Sequence, residues 1–145
     1  MNLSERLVAH RRHRLARELL LLYGIEFPRE VMVGRDLRLV HRGMGTVIHP
    51  RTRIGDRVRI FHQVTIGRAD GHVPAEKSGM ERIDIGSDVV LFPGAKVLGG
   101  EGVTTVGQGT LVAANAVLTR STGEWEVWGG VPARKIADRP REESS

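Results

Sequence analysis

The sequence contains no cysteine, few aromatic residues and no long hydrophobic run. The absence of cysteine excludes a disulfide scaffold, a thiol nucleophile and a zinc site built on cysteine, and it favours a reducing compartment. The longest purely aliphatic run, Leu19–Leu22, has four residues, whereas a membrane-spanning helix needs about 20. The N-terminus also lacks the apolar segment of a signal peptide. We therefore expect a soluble, cytoplasmic protein without a membrane span.

Aromatic residues make up only 4% of the 145 residues, with 3 Phe, 2 Trp and 1 Tyr. Aromatic side chains supply much of the core of an ordinary globular domain. The 38 Val, Ile and Leu residues must therefore build this core. The length supports one modest domain.

Positive charge is in excess, with 22 Lys and Arg against 17 Asp and Glu, a net charge of +5. Arginine is scattered along the chain, and no nucleic-acid-binding motif accompanies it. We therefore expect no nucleic-acid partner.

What the sequence does have is an internal period of six residues. A period of six matches neither an α-helix nor a simple hairpin, and a short fixed period is typical of stacked repeats. Aliphatic or aromatic anchors recur at this spacing in four runs: Phe27, Val33 and Leu39; Ile48, Ile54, Ile60 and Ile66; Ile85, Leu91 and Val97; Val106, Val112 and Leu118.

Many anchors are followed by a residue with little or no side chain, such as Gly34, Gly55, Gly86 and Gly107. Glycine suits a backbone that turns sharply or approaches another backbone closely. Short strands that turn at each repeat would stack their anchors inward as a parallel β-helix, with aliphatic ladders in place of aromatic packing. The sequence therefore predicts the β class and this architecture.

The six-residue spacing breaks at three points. Two breaks of nine residues, Leu39 to Ile48 and Val97 to Val106, predict small bulges at corners. The third break, of nineteen residues from Ile66 to Ile85, predicts a polar excursion over residues 68–84. Long loops in compact domains are often functional.

The first 24 residues follow a different pattern, which predicts one N-terminal α-helix with leucines on one face and arginines on the others. We expect this helix to cap residues 25–138, the β-helical domain, while residues 139–145 form a polar tail. The leucines of the predicted apolar face are Leu3, Leu7, Leu15, Leu19 and Leu22.

Three motifs give the sequence a resemblance to a known family. They are VTIG at 64–67, GAKVLG at 94–99 and GGVPARKI at 129–136. With the repeat, they resemble the hexapeptide-repeat acyltransferases, in particular the serine acetyltransferase branch. The resemblance implies a left-handed parallel β-helix, a homotrimer, and acetyl-CoA as acyl donor in the groove between neighbouring subunits.

The same resemblance nominates a catalytic pair. His41 stands where the family has its catalytic histidine, and Glu26 stands fifteen residues earlier, where the family has a carboxylate. A carboxylate on one imidazole nitrogen fixes the tautomer and makes the other nitrogen a better base. The implied reaction is direct transfer of the acyl group to a hydroxyl, with His41 as general base.

Small residues and two cations are assigned to the donor. The small residues leave room for a pantetheine arm, and the cations can meet the phosphates of coenzyme A. Pro93 stands where the family prefers a smaller residue. The donor-binding candidates are Gly67, Gly94, Ala113, Ala114, Gly130, Arg134 and Lys135.

The acceptor side departs from the branch. Serine acetyltransferases have an Asp before the catalytic histidine and an Arg-His pair in the excursion, whereas this sequence has Val40 and the residues Met80, Glu81 and Arg82. We therefore expect a small hydroxylated acceptor such as a sugar or a related metabolite, with His72 and Arg82 as candidate contacts.

Two other functions stay open. Gamma-type carbonic anhydrases share the fold expected here but need three His ligands, and His41, His49 and His62 do not repeat on one face. We therefore predict no metal site. A trimeric scaffold without catalytic activity is the second alternative.

Overall fold

The computed structural model describes residues 1–141, and these are mostly β. Two short α-helices, α1 (Leu3–Ala9) and α2 (Arg14–Leu20), come first. Short 3-10 turns follow at Leu21–Tyr23, Val40–Gly43 and Ala75–Lys77. The strands of residues 1–141 are β1 (Met32–Val33), β2 (Arg38–Leu39), β3 (Val47–Ile48), β4 (Thr52–Ile54), β5 (Arg59–Ile60), β6 (Thr65–Arg68), β7 (Met80–Ile85), β8 (Val90–Leu91), β9 (Lys96–Gly99), β10 (Gly102–Val106), β11 (Leu111–Val112), β12 (Val117–Leu118), β13 (Glu126–Gly130) and β14 (Ala133–Asp138).

The strands form three sheets. Sheet 1 has the order β1-β4-β7-β10, sheet 2 has β2-β5-β8-β11-β13-β14, and sheet 3 has β3-β6-β9-β12. Pairing is parallel throughout, apart from the antiparallel pair β13 and β14 at the end of sheet 2. Up to β12 the chain passes through the sheets in rotation, so each strand pairs with the strand three positions further along.

The six-residue anchors line the interior between the sheets. Twelve of the thirteen anchors are exposed by 4% or less, and the remaining one, Val33, is partly buried. The predicted aliphatic core is therefore confirmed. Because these side chains stack on their counterparts in the next strand of the same sheet, little aromatic surface is needed to fill the interior.

Glycines that follow sheet 1 strands allow the backbones to lie close together. A Cβ atom at Gly86 would lie only 2.7 Å from the backbone nitrogen of Gln108. Real Cβ contacts are almost never this short, so a side chain at this position would force the backbones apart.

The prediction of one N-terminal helix is wrong. Residues between Ala9 and Arg14 break it into α1 and α2, and Val8, Ala16 and Leu20 are the buried apolar side chains. The break changes the helical phase, so the predicted leucine face does not form one buried stripe. Leu3, Leu15, Leu19 and Leu22 are exposed by 49%, 70%, 38% and 82%. The segment does end at Gly24, whose φ is 67°.

The predicted excursion over residues 68–84 is shorter than expected. Residues 80–85 form β7, which pairs with both β4 and β10. Met80 and Ile83 are exposed by only 2% and 0%. The sequence of this strand is largely polar, but the residues at its inward positions are apolar. The loop proper covers 69–79, and at its base the Ser78 hydroxyl donates to the Asp70 carboxylate at 2.7 Å.

The N-terminal helix α1 closes the first edge of sheet 2. Asn2 accepts at its side-chain oxygen from the Glu5 N–H at 2.9 Å, and its amide donates to the Leu39 carbonyl at 3.0 Å. The Glu5 carboxylate, 5% exposed as a residue, accepts from the Leu39 N–H at 2.9 Å and pairs with Arg38 at 3.3 Å. Both backbone polar groups of Leu39 are thereby satisfied.

The C-terminal region covers the other edge of sheet 2. Trp128 of β13 is 8% exposed, and β14 folds back on β13 as an antiparallel partner. Arg139 then donates to the carbonyls of Asp88 and Gly109 at 3.1 and 2.9 Å. The tail predicted over 139–145 lies outside the described residues from position 142 onward. No helix within residues 1–141 has the length and apolar character to cross a bilayer.

Candidate functional site

His41 lies at the corner between sheet 2 and sheet 3, two residues beyond the end of β2. Its φ is 52° and that of Arg42 is 62°, so two consecutive residues with side chains adopt the left-handed conformation. This conformation costs roughly 1–2 kcal/mol per residue. Single non-glycine residues with positive φ occur at other corners as well, but within residues 1–141 only His41 and Arg42 are consecutive.

The surroundings of this corner are well defined. The Asn2 and Glu5 side chains hold Leu39 just before it. Just after it, the Gly45 N–H donates to the Tyr23 carbonyl at 3.0 Å, and the Gln63 N–H donates to the Met44 carbonyl at 2.7 Å. The corner is thus fixed from both sides by the N-terminal region and by the next strand layer.

The exposed side chain of His41 lies against two rings of the next corner. Its ring centroid is 5.3 Å from that of His62, with the planes at 82°, and 6.0 Å from that of Phe61. Phe61 in turn lies 5.0 Å from Phe92. Two of the three phenylalanines of the chain therefore belong to one group of rings that begins at His41.

Glu26 is placed differently from what its proposed role requires. Its backbone bridges to Val47 beside sheet 3, and its side chain is exposed. Within residues 1–141, no hydrogen bond or ion pair joins the Glu26 carboxylate to His41. The pairing of Glu26 with His41 stays a prediction.

Three donor-binding candidates lie at the same corner as His41. The registers Leu39–Ile60, Ile60–Leu91 and Leu91–Val112 stack four successive corners in sheet 2. Gly94, Ala113 and Ala114 follow the last two of these strands. The Gly94 N–H donates to the His62 carbonyl at 3.1 Å, which links this group to the corner next to His41.

Two glycines among the candidates are not crowded, because a Cβ built on either would meet only an ordinary van der Waals contact. Around a Cβ built at Gly67 in β6, the nearest atom is a methyl carbon of Thr65 at 3.8 Å. At Gly130, which ends β13, the nearest is the Pro132 carbonyl oxygen at 3.6 Å. A ligand chain can approach the backbone at both positions.

The two candidate cations on β14 differ in their surroundings. Lys135 pairs with Asp138 at 2.8 Å and Glu126 at 3.4 Å, and these carboxylates raise the pKa of its ammonium group. Arg134 is exposed, and no acidic partner for it lies within the part of the chain that the structure describes. Arg134 is therefore the more available cation for a phosphate.

The two acceptor candidates lie away from the corner. His72 is an exposed residue of the 69–79 loop. Arg82 belongs to β7 in sheet 1 and is held by Glu81 at 3.1 Å and Asp84 at 3.0 Å. One chain does not bring them together with His41.

No family model matches the chain. Serine acetyltransferase of Staphylococcus xylosus is 34% identical over 113 residues, which are 78% of this chain and 48% of that protein. The Helicobacter pylori strain J99 enzyme of the same name is 38% identical over 113 residues, 78% of this chain and 61% of that protein. The chain belongs to the hexapeptide-repeat acyltransferase family. It spans about half the length of the curated relatives it matches.

Solved structures agree with this placement in the serine acetyltransferase branch. A crystal structure of serine acetyltransferase from Brucella abortus strain S19 in complex with coenzyme A is 31% identical, with a TM-score of 0.67 over 77% of this chain and 41% of that chain. The Neisseria gonorrhoeae enzyme, 23% identical, has a TM-score of 0.72 over 96% of this chain and 51% of its own. The latter match concerns the fold alone.

In this member of the hexapeptide-repeat family, the structure places one further residue in the candidate site, His62, which the sequence did not nominate. The expectation that His41, His49 and His62 do not repeat on one face is wrong for two of them, because the ring of His62 lies against that of His41. The available signal was the separation of 21 residues between the two histidines, which equals one full passage through the three sheets here. His49, by contrast, accepts from the Arg51 N–H at 3.1 Å, and burial, with Arg51 and Arg68 nearby, lowers the pKa of its imidazole.

No three His, Asp or Glu side chains of residues 1–141 converge in a way that could hold a metal ion.

Proposed function

We propose that the protein is an acetyl-CoA-dependent O-acetyltransferase with a small hydroxylated acceptor. The observation that supports this most is His41, an exposed imidazole on a strained corner of a chain related to serine acetyltransferases. The general-base role suits this position, because a base must reach the proton of a bound hydroxyl.

The proposed architecture is a left-handed parallel β-helix over residues 25–138, preceded by the helical segment 1–24 and followed by the tail 139–145. The rotation of the chain through three parallel sheets supports this architecture. We further propose a homotrimer in which acetyl-CoA lies between neighbouring subunits, so that Glu26 and His41 meet groups of an adjoining chain or of the substrates.

The proposed reaction is a direct transfer. His41 accepts the proton of the acceptor hydroxyl while the oxygen attacks the thioester carbonyl carbon. The tetrahedral oxyanion is stabilised by backbone N–H groups. When the carbon–sulfur bond breaks, the coenzyme A thiolate leaves and takes up the proton from His41, which returns the imidazole to its starting state.

The donor is held by two kinds of group. Gly67 and Gly130 have no side chain, so the pantetheine arm can approach the backbone there. Gly94, Ala113 and Ala114 have small side chains or none, so they leave room for the arm beside His41. Arg134 is positioned for a phosphate, because an exposed guanidinium can form two parallel hydrogen bonds with one. Lys135 adds positive charge but remains engaged with Glu126 and Asp138.

The acceptor is a sugar or a related metabolite in this proposal. A site for an amino acid needs a cation for the carboxylate and an anion for the ammonium group. Val40 supplies no anion next to His41, and the charge of Arg82 is compensated by Glu81 and Asp84. Hydroxyl groups need neither, and His72 can contact such an acceptor from the loop.

A thiol-release assay tests the proposal. Acetyl-CoA is incubated with wild-type protein and with serine, sugars or sugar derivatives, and we expect free thiol with a sugar or sugar derivative and none with acetyl-CoA alone. His41→Ala is expected to lower kcat by about 100-fold or more, the usual contribution of a positioned base. His13→Ala, on the helical segment, serves as the control with unchanged kcat. Activity restricted to serine would contradict the acceptor assignment, and an unchanged rate in His41→Ala would contradict the base.

A further inference from the structure

His62 occupies the position of His41 in the next strand layer. β2 and β5 pair with Leu39 opposite Ile60. Two residues after each of these positions come His41 and His62, so equivalent turns present two imidazoles one above the other. Two residues after Leu91 and Val112, the same column continues with Pro93 and Ala114.

The two rings meet edge to face. Their centroids are 5.3 Å apart and their planes stand at 82°, within the range in which aromatic rings attract one another. The backbone under His62 is fixed, because its carbonyl accepts from the Gly94 N–H at 3.1 Å. The Phe61 and Phe92 rings, 5.0 Å apart, extend the same ring surface.

A nitrogen of His62 is buried without a partner. Its Nδ1 atom has no hydrogen-bond partner within the described residues and is shielded from solvent. His62 is therefore not tied to His41 through this atom. The observed contact between His62 and His41 is between their rings.

The His41 side chain, in contrast, is exposed and forms no hydrogen bond within residues 1–141. An exposed side chain without a fixed contact samples several staggered rotamers. A general base must lie within hydrogen-bond reach of the proton it takes, so its orientation has to be set by some neighbour. The ring of His62, at 5.3 Å, is the nearer of the two rings that lie against it, since that of Phe61 is at 6.0 Å.

We infer that His62 is a positioning residue that holds the His41 imidazole toward the acceptor hydroxyl through an edge-to-face ring contact. This inference rests on the proposed function. It assigns the orientation of the base to a residue of the following strand layer, in addition to any carboxylate.

The kinetic test compares three substitutions of His62. We expect His62→Ala to lower kcat roughly 10-fold to 100-fold, because a displacement of about 1 Å can cost about 100-fold. KM for the acceptor is expected to change less than about threefold, since a misoriented base affects the transition state rather than substrate binding. His62→Phe keeps a flat ring and is expected to stay within about threefold of the wild-type kcat, as the contact needs only the ring.

His62→Leu separates ring geometry from packing volume and guards against a misfolded alanine variant. It fills the space without a flat ring, so we expect the loss of kcat seen in His62→Ala, at an unchanged thermal midpoint. A wild-type kcat in His62→Leu, or an equal loss in His62→Phe and His62→Ala, would overturn the inference.

A measurement without substrate separates this inference from the proposed function. The ring Cε1–H signal of His41 is assigned in a ¹H–¹³C spectrum by its loss in His41→Ala. We expect His62→Ala to shift that signal through the lost ring current, and His10→Ala to leave it in place. An unmoved signal overturns the ring contact. If the wild-type protein releases no thiol with any acceptor, the proposed function fails while the shift still reports the contact.

Discussion

Side chains between the three sheets are aliphatic and almost fully buried, whereas those at the corner that carries His41 are rings with partial exposure. The interior repeats one arrangement, an aliphatic residue every six positions, within each of the runs Ile48 to Ile66, Ile85 to Val97 and Val106 to Leu118. The corner varies its side chains, which are His41, His62, Pro93 and Ala114, and also its backbone, since of these four only His41 has a positive φ. This difference indicates that the regular packing of the interior makes the domain rigid. The turns at its corners can therefore carry different side chains, including catalytic ones, without changing the interior.

The largest effect is expected in the interior. Leu91 is 0% exposed and belongs to β8, which pairs with β5 and β11. Leu91→Ala should lower the free energy of unfolding by about 2–5 kcal/mol, because it leaves a cavity that the sheets cannot close. Urea denaturation at fixed protein concentration measures it.

Leu22→Ala is the matched control, since Leu22 is 82% exposed and its truncation should change stability by less than about 0.5 kcal/mol. Equal free energies of unfolding for the two variants would show that Leu91 contributes no more to stability than an exposed leucine, which would contradict the prediction.

A smaller effect is expected where the helical segment meets the corner. Asn2 caps α1 and also donates to the Leu39 carbonyl. Asn2→Ala should cost about 1 kcal/mol of stability, the usual value for a lost N-cap. Because Leu39 precedes His41 by two residues, we also expect a lower kcat in the thiol-release assay.

The other N-cap residue, His13, makes no side-chain cap hydrogen bond, so His13→Ala should leave both quantities unchanged. A loss of stability in Asn2→Ala with an unaltered kcat would show that the corner is held independently of the helix.

The smallest effect is expected at an ion pair on another corner. Arg57 donates to Asp88 at 2.8 and 3.0 Å, and this contact, with Gln108 and Arg139 nearby, lowers the pKa of the Asp88 carboxyl. A lowered folded-state pKa stabilises the protein above the unfolded value, about 3.9, and this stabilisation is lost as the pH falls below it.

Asp88→Asn should therefore be less stable than wild type at pH 6, by roughly 0.2–1 kcal/mol, with the difference vanishing in acid. Asparagine tolerates the left-handed backbone of this position, where φ is 62°, so the change removes the charge and one hydrogen-bond acceptor without adding backbone strain. Asp36→Asn, at an exposed corner with the same backbone hand, is the control without an ion pair in the described residues. A gap between wild type and Asp88→Asn that did not narrow as the pH fell below about 3.9 would point to a contact other than charge.

The sequence allowed the interior to be predicted but not the corner contacts. Anchors such as Leu91 could be recognised because their spacing follows directly from the fold's period. The break between α1 and α2 could not, since a single helix satisfies the same leucine spacing over so short a segment. Strand β7 was missed because polar residues occupy its outward positions.

The candidate site was predicted in part for the same reason. His41 could be nominated from its motif, whereas its neighbour could not. The contact with His62 depends on how many residues one passage through the three sheets takes at that level. This number varies with each break in the period, so that 21 residues separate the two histidines although the repeat is six. Only the stacked registers place the rings together.

The hydrogen bond between Ser78 and Asp70, here called the clasp, indicates where the chain can accept an insertion. It closes the base of the 69–79 loop while β6 and β7 on either side remain bonded to their own sheet neighbours. A longer peptide could be grafted between the two clasp residues without altering any strand register. The loop is thus an insertion point where a new recognition segment can be acquired while the stacked strands beneath it stay as they are.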